Sequence, residues 1–155
     1  MRLLDGRKQF SLMLDYEFGP GASRALPKEG LEFVYSKKSD RLKQVVHGGE
    51  LFATIKPNGA IAPTHYGATV LIRSRAYAQN SVTVDAEAVE FVKEGRSVFC
   101  KFVRSVGKHV LPGGEVAVLD PGGRVIGVGS ARMHGDFMRQ FKHGVAVKVR
   151  GSSWE

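Results

Sequence analysis

The sequence predicts an α+β protein of two small units. One is a helix packed on an antiparallel sheet; the other is a small, partly closed β-barrel carrying two short helices. Three observations predict it. Helical periodicity is confined to brief stretches, short apolar runs between Gly, Pro, Asn and Asp turns fill most of the rest, and Asp120-Pro121-Gly122-Gly123 separates two β-rich runs. At 155 residues the chain has length for one domain or two small ones, each with its own core.

In chain order, residues 7–16 place Phe10, Met13 and Leu14 near one helical face, with Leu3 as a possible extension. Phe18-Gly19-Pro20-Gly21 ends that helix, because proline and the two glycines break it. Residues 19–24 have the composition of a backbone nest for phosphate with Arg24 beside it, although a plain loop fits them better. They follow a helix and lack the last glycine of a dinucleotide fingerprint. Residues 31–36, 44–47 and 51–55 read as strands joined by the charged turn 37–41 and by Gly48-Gly49. Their close spacing implies antiparallel pairing, with the buried face against the first helix and a second one around 66–72. Residues 76–81 are polar and lie between two periodic segments, so the boundary is placed there, giving domains 1–78 and 79–155.

Residues 82–101 are the centre of the second unit. They read as a strand, a helix opened by Asp85 with Glu87 and Glu90 near its positive end and Lys93 in its last turn, and a stop at Gly95. Val98, Cys100 and Phe102 then alternate with Phe99, Lys101 and Val103, the period of a strand. Backbone amides, the Arg96 guanidinium, Lys101 and the Phe99 ring meet at one turn, a set suited to a partner with phosphates and bases, although on spacing alone an ordinary strand–helix–strand corner with solvated charges fits better. Phe99 is either a stacking surface or part of the core, with a slight preference for core. Runs 115–119 and 124–128 flank Asp120-Pro121-Gly122-Gly123 as a hairpin, and 134–140 is a helical turn. Residues 144–150 close the chain as a strand with three valines on one face and Lys148 and Arg150 on the other.

Lysine and arginine number 23 against 15 acidic residues, a formal charge of +8. Residues 1–80 carry +5 and 81–155 carry +3, so the excess is spread over folded surface and is no basic tail. An anionic membrane would attract such charge too, but no basic amphipathic helix supports that partner. No run approaches the ~20 apolar residues of a membrane span, and Asp5 and Arg7 interrupt any signal-peptide core. Cys100 is the only cysteine, which excludes an intrachain disulfide and a multi-thiolate zinc site and fits a cytoplasmic setting. His47, His65, His109, His134 and His143 show no metal-ligand spacing, and no nucleophile or phosphate-loop motif appears. Catalytic residues, metal ligands and cofactors are therefore expected to be absent.

Several stretches resemble a known family. VDAEAVEFVKEGRSVFCKFVR (84–104) is similar to the opening of the PUA domain, named after pseudouridine synthases and archaeosine transglycosylases. GGEVAVLDPGGRVIGVGSARM (113–133) is similar to its hairpin and small-residue strand, and GVAVKVRG (144–151) to its closing strand. DYEFGPGASRAL (15–26), LEFVYSKKSDRLKQV (31–45) and GELFATIKPNGAIAPTHYGA (49–68) resemble the small domain preceding PUA in archaeosine tRNA-guanine transglycosylase, an archaeal enzyme. The chain has no room for that enzyme's (β/α)₈ barrel of ~250 residues, nor the cysteines for its zinc.

The resemblance implies a PUA pseudo-barrel that grips structured RNA, tRNA foremost and rRNA next. It maps the RNA face onto Lys93, Gly95, Arg96, Ser97, Phe99, Lys101, Lys148 and Arg150. The resulting expectation is a non-catalytic RNA-binding protein of tRNA or rRNA modification or maturation, working beside a catalytic tRNA-modifying enzyme. Two alternatives stand beside it: the RNA-binding subunit of a split transglycosylase, and a translation or ribosome-assembly factor.

Overall fold

The computed structural model describes residues 5–153, so Leu3 and the chain start lie outside the described residues. It forms two compact units, Met1–Tyr77 and Ala78–Glu155. The predicted α+β class holds, as an antiparallel sheet in the first unit and a nearly closed barrel-like sheet in the second.

In the first unit helix α1 (Gly6–Phe18) starts at Asp5, whose side chain accepts from the Lys8 amide, and stops at Gly19, where φ is 119°. Its buried stripe is Phe10, Leu14 and Phe18, with Met13 only half-buried. Strands β1 (Leu31–Tyr35), β2 (Leu42–His47), β3 (Glu50–Ile55) and β4 (Ile61–Pro63) form an antiparallel meander. Phe10 seats α1 on that sheet through edge-to-face contacts with Phe33 and Phe52. Helix α2 (His65–Leu71) follows, its Thr64 side chain accepting from the Gly67 amide. Gly67 leaves room for β3: a Cβ there would lie 2.0 Å from the Phe52 carbonyl oxygen.

Two expectations change here. The segment 19–24, read as a plain loop in preference to a phosphate nest, runs into a 3₁₀ turn at Ala22–Ala25, where the Ser23 amide donates to Asp15 Oδ1 at 2.8 Å and the Ala22 and Arg24 amides donate to Gly19 and Gly21 carbonyls. The polar segment 76–81 is largely packed: helix α3 (Arg75–Ala78) buries Tyr77 against Phe18, and Asn80 and Ser81 are also buried.

The second unit is a six-stranded sheet of β5 (Ser81–Val84), β6 (Val98–Phe99), β7 (Val103–Val106), β8 (Glu115–Leu119), β9 (Val125–Ala131) and β10 (Val145–Ser152). The spatial order is β6-β10-β9-β8-β5-β7, antiparallel throughout except that β5 and β8 run parallel. Its edge strands β6 and β7 are consecutive in the chain, joined by a 3₁₀ turn at Cys100–Phe102. One continuous segment therefore bends from one edge to the other and draws the sheet nearly closed, protecting both edges. The expected single strand across 98–103 is thus two short strands about a turn: burial alternates from Val98 to Lys101, and the turn then brings Val103, expected on the outer face, into the core. The predicted hairpin is β8–β9: the Asp120 amide donates to the Arg124 carbonyl and the Arg124 amide to Asp120 Oδ1. Helix α4 (Val89–Lys93) lies on β9, and helix α5 (Gly135–Met138) follows it. Val82, Val84, Val92, Val116, Val118, Ile126, Met138 and Val147 build the core between them.

Candidate nucleic-acid interface

The short helix α4 exists because its stripe Ala88 and Val92 is buried and its end is closed three ways. The Gly95 amide donates to the Val92 carbonyl and the Arg96 amide to the Phe91 carbonyl, the two bonds of a Schellman stop with Gly95 at φ +90°. Ser152 of β10 donates its hydroxyl to the Lys93 carbonyl at 2.7 Å. Asp85 does stand at an N-cap, that of the 3₁₀ turn Ala86–Ala88 leading into α4, but its backbone carbonyl accepts from the Ala88 amide and its side chain makes no capping bond.

These bonds revise the chemistry of the turn. The Gly95 and Arg96 amides are spent inside the helix stop and are not donors for a ligand. Gly95 offers space instead: a Cβ built there meets nothing within 4 Å, so a polynucleotide backbone can approach closely.

Beside the turn the chain forms an apolar slot of about 170 Å³. It is lined by Ala88, Phe91 and Val92 from the helix and its entry and by Arg96, Ser97, Val98, Phe99, Lys101 and Phe102 from the turn and strand that follow. Phe91 and Phe99 are 42% and 47% exposed, values that correct the preference for a core Phe99. Val98 is buried and its neighbour Phe99 is not because β6 is an edge strand with one face on the core. The cations sit on the rings: Arg96 Cζ is 5.3 Å from the Phe91 centroid and Lys101 Nζ 5.0 Å from that of Phe102. Arg96 Nε also lies 3.6 Å from Glu94 Oε2, a pair so exposed that water screens most of it. An apolar slot with aromatic walls and a cationic rim is chemically matched to one unpaired base with its phosphates.

Val98 and Val147 are register partners, as are Phe99 and Val145. Val147 is buried and Lys148 exposed, so Lys148 stands on the solvent side of the strand pair that carries Phe99. Lys93 is half-buried at the end of α4. Arg150 behaves differently from the expectation. Its Nη1 bonds Glu115 Oε1, a carboxylate whose side chain is 5% exposed, so the guanidinium is committed to neutralising a buried charge. It belongs to the architecture of β8 and β10 and leaves the phosphate-binding set. The sequence showed Arg150 and Glu115 separately but not that the sheet brings them together. Phe91 and Phe102 were missed as site residues. The available signal for Phe91 was its offset from the Ala88/Val92 stripe on a helix.

The groups considered for chemistry are placed apart. Among the described residues no three His, Cys, Asp or Glu side chains gather as a metal site. His47 bonds the Tyr66 hydroxyl and the Glu29 carbonyl, and His134 Nδ1 accepts from the Asp136 amide. Burial pushes the Cys100 thiol above its usual range, opposite to what a nucleophile needs. No helix among the described residues is long and apolar enough to cross a membrane.

Comparison with known proteins agrees with this division. Residues 8–77 match the patch-forming domain C2 of tRNA-guanine transglycosylase, and residues 80–152 match the PUA domain. The tRNA-guanine(15) transglycosylase of Methanocaldococcus jannaschii is 33% identical over 141 residues, covering 90% of this chain and 22% of that protein. That of Thermoplasma volcanium is 30% identical over 136 residues, 87% of this chain and 21% of its own. The chain thus spans about a fifth of the length of these archaeal relatives. A hypothetical protein of Pyrococcus horikoshii shares the fold with a TM-score of 0.73 at 21% identity, over 96% of this chain and 90% of its own. A conserved PUA domain protein of Thermoplasma acidophilum does so at 0.68 and 22%, over 97% and 92%. A Schellman-stopped helix, a hairpin over Asp120 and a sheet closed by its own edge segment are therefore, in this chain, the parts of a PUA domain set behind a patch-forming domain C2 of the tRNA-guanine transglycosylase kind.

Proposed function

We propose that the chain is a non-catalytic RNA-binding protein of tRNA or rRNA modification or maturation, holding structured RNA on its PUA unit. The observation that carries this reading is the slot with Phe91 and Phe99 open to solvent and Arg96 and Lys101 laid over its rings. Lys93, Arg96, Lys101 and Lys148 contact phosphates, Gly95 and Ser97 admit the backbone, and Phe99 stacks on an unpaired base beside an A-form stem. Stem recognition goes through shape and 2′-hydroxyls, because the deep major groove of A-form RNA is closed to side chains. Crosslinking the chain to total cellular RNA tests this. RNA adducts on peptides containing Phe91 and Phe99, with tRNA or rRNA enriched, are expected; adducts absent from those peptides would refute it.

A second reading is favoured by one specific observation: about nine-tenths of the chain, both units included, matches a single stretch of the same enzyme. In it the chain serves a transglycosylase barrel carried on another polypeptide. Such a barrel should gain guanine-exchange activity on tRNA when this chain is added, and unchanged activity would end the idea.

A further inference from the structure

Four phenylalanines of the second unit are more than 40% exposed, and the slot uses only two of them. The others, Phe137 and Phe141, are 48% and 51% exposed and stack on each other, with centroids 6.0 Å apart and planes 18° from parallel. They meet because the Phe141 amide donates to the Phe137 carbonyl, a helical turn that sets side chains four apart on one face. His134 adds an edge-to-face contact with Phe137 at 6.0 Å. Met138, between them in sequence, takes the buried position, so the phenylalanines are outward by construction.

Charge along the segment that carries this ladder is one-sided. Arg132, Arg139 and Lys142 are all exposed, and Asp136 is the one acidic residue between 132 and 143. The ladder also leads to the slot. Gly144 accepts from the Cys100 amide, and Val145 is the register partner of Phe99. Three residues separate Phe141 from Val145, and the four Cα steps span at most about 14 Å.

We infer that the ladder of Phe137 and Phe141, flanked in the chain by the exposed Arg132, Arg139 and Lys142, is a second RNA-binding platform that stacks the bases of an unpaired strand extending from the slot. Aromatic faces accept any base, and the flanking cations follow its phosphates, so the platform prefers single strands without strict sequence preference. A protein partner would place acidic groups against the same cations, but two open rings stacked on a cationic segment suit a polyanion of flat bases better. The inference rests on the RNA-binding reading above and adds to it a second contact and a preference for unpaired strand.

The test compares a short RNA hairpin with the same hairpin bearing an unpaired tail of about five nucleotides, at its 3′ or its 5′ end. Fluorescence anisotropy gives the affinity of the full chain for each. One tailed hairpin should bind the wild type at least tenfold more tightly than the blunt one. The Phe137→Ala/Phe141→Ala variant should lose that gain and keep its blunt-hairpin affinity; both rings are half-exposed, and circular dichroism checks its fold. Phe137→Tyr/Phe141→Tyr, which keeps the flat faces, should keep the gain. An undiminished gain in the alanine variant overturns the inference and leaves the ladder to a protein partner, with the RNA-binding reading intact. Absence of binding by the wild type to every hairpin overturns both.

Discussion

Removing Arg150 separates architecture from recognition. Arg150→Ala withdraws the guanidinium from the Glu115 carboxylate, whose side chain is 5% exposed. Breaking a fully buried pair costs about 3–5 kcal/mol. The Arg150 side chain is 40% exposed, so water reaches the pair and the expected loss falls to about 1–3 kcal/mol. For a unit of this size each kcal/mol lowers Tm by about 4–8 °C. Urea unfolding and thermal melting of wild type, Arg150→Ala, Glu115→Gln and the double variant measure the loss. The double variant should be less destabilised than the two single effects added, because they share one interaction. Affinity for a tRNA transcript, measured well below the variant's melting point, should change less than threefold. If Arg150→Ala leaves stability unchanged and weakens RNA binding as Lys148→Ala does, the assignment of Arg150 to the fold is wrong.

Phe99→Ala should leave Tm within about 2 °C, since the ring is half-exposed, while binding weakens by about 1–3 kcal/mol, the usual cost of losing one stacked base. Filter binding beside a melting curve reads both. Gly129→Ala should destabilise by at least about 1–3 kcal/mol, because its Cβ would lie 2.0 Å from the Lys148 carbonyl oxygen and force β9 from β10; urea titration checks it. The Cys100 thiol, 3% exposed and raised by burial, should react with a thiol reagent at neutral pH only as the chain unfolds. Labelling rates across a urea series test that, and fast labelling in buffer would contradict the buried placement.

Sequence periodicity was informative wherever one face of an element is buried and the next turn is local. Phe10 and Leu14, the meander 31–55 and the hairpin over Asp120 all met that condition, and the structure contains each of them. It missed what depends on distant pairing. The parallel β5–β8 pair and the Arg150–Glu115 contact join segments more than 30 residues apart, for which local spacing carries no signal. The turn at Cys100–Phe102 was also hidden, because the run Val98–Val103 contains no Gly, Pro, Asn or Asp to mark it. At the site, charge and the glycine stop singled out the turn that borders the slot. They did not reveal that the Gly95 and Arg96 amides are consumed by the helix stop, nor that Phe91 joins Phe99 at the slot. Exposed aromatics read as core in a sequence, since hydrophobicity alone does not say which face of a short element is outward.

The most direct test of RNA binding at this slot is the salt dependence of affinity for a tRNA transcript, in wild type and in Arg96→Ala/Lys101→Ala/Lys148→Ala. Each phosphate contact contributes about 0.7–0.9 to the slope of log affinity against log salt, so losing three cations should flatten the slope by about 2 units. Equal slopes in the two proteins, or a wild type whose affinity ignores salt, would contradict the account.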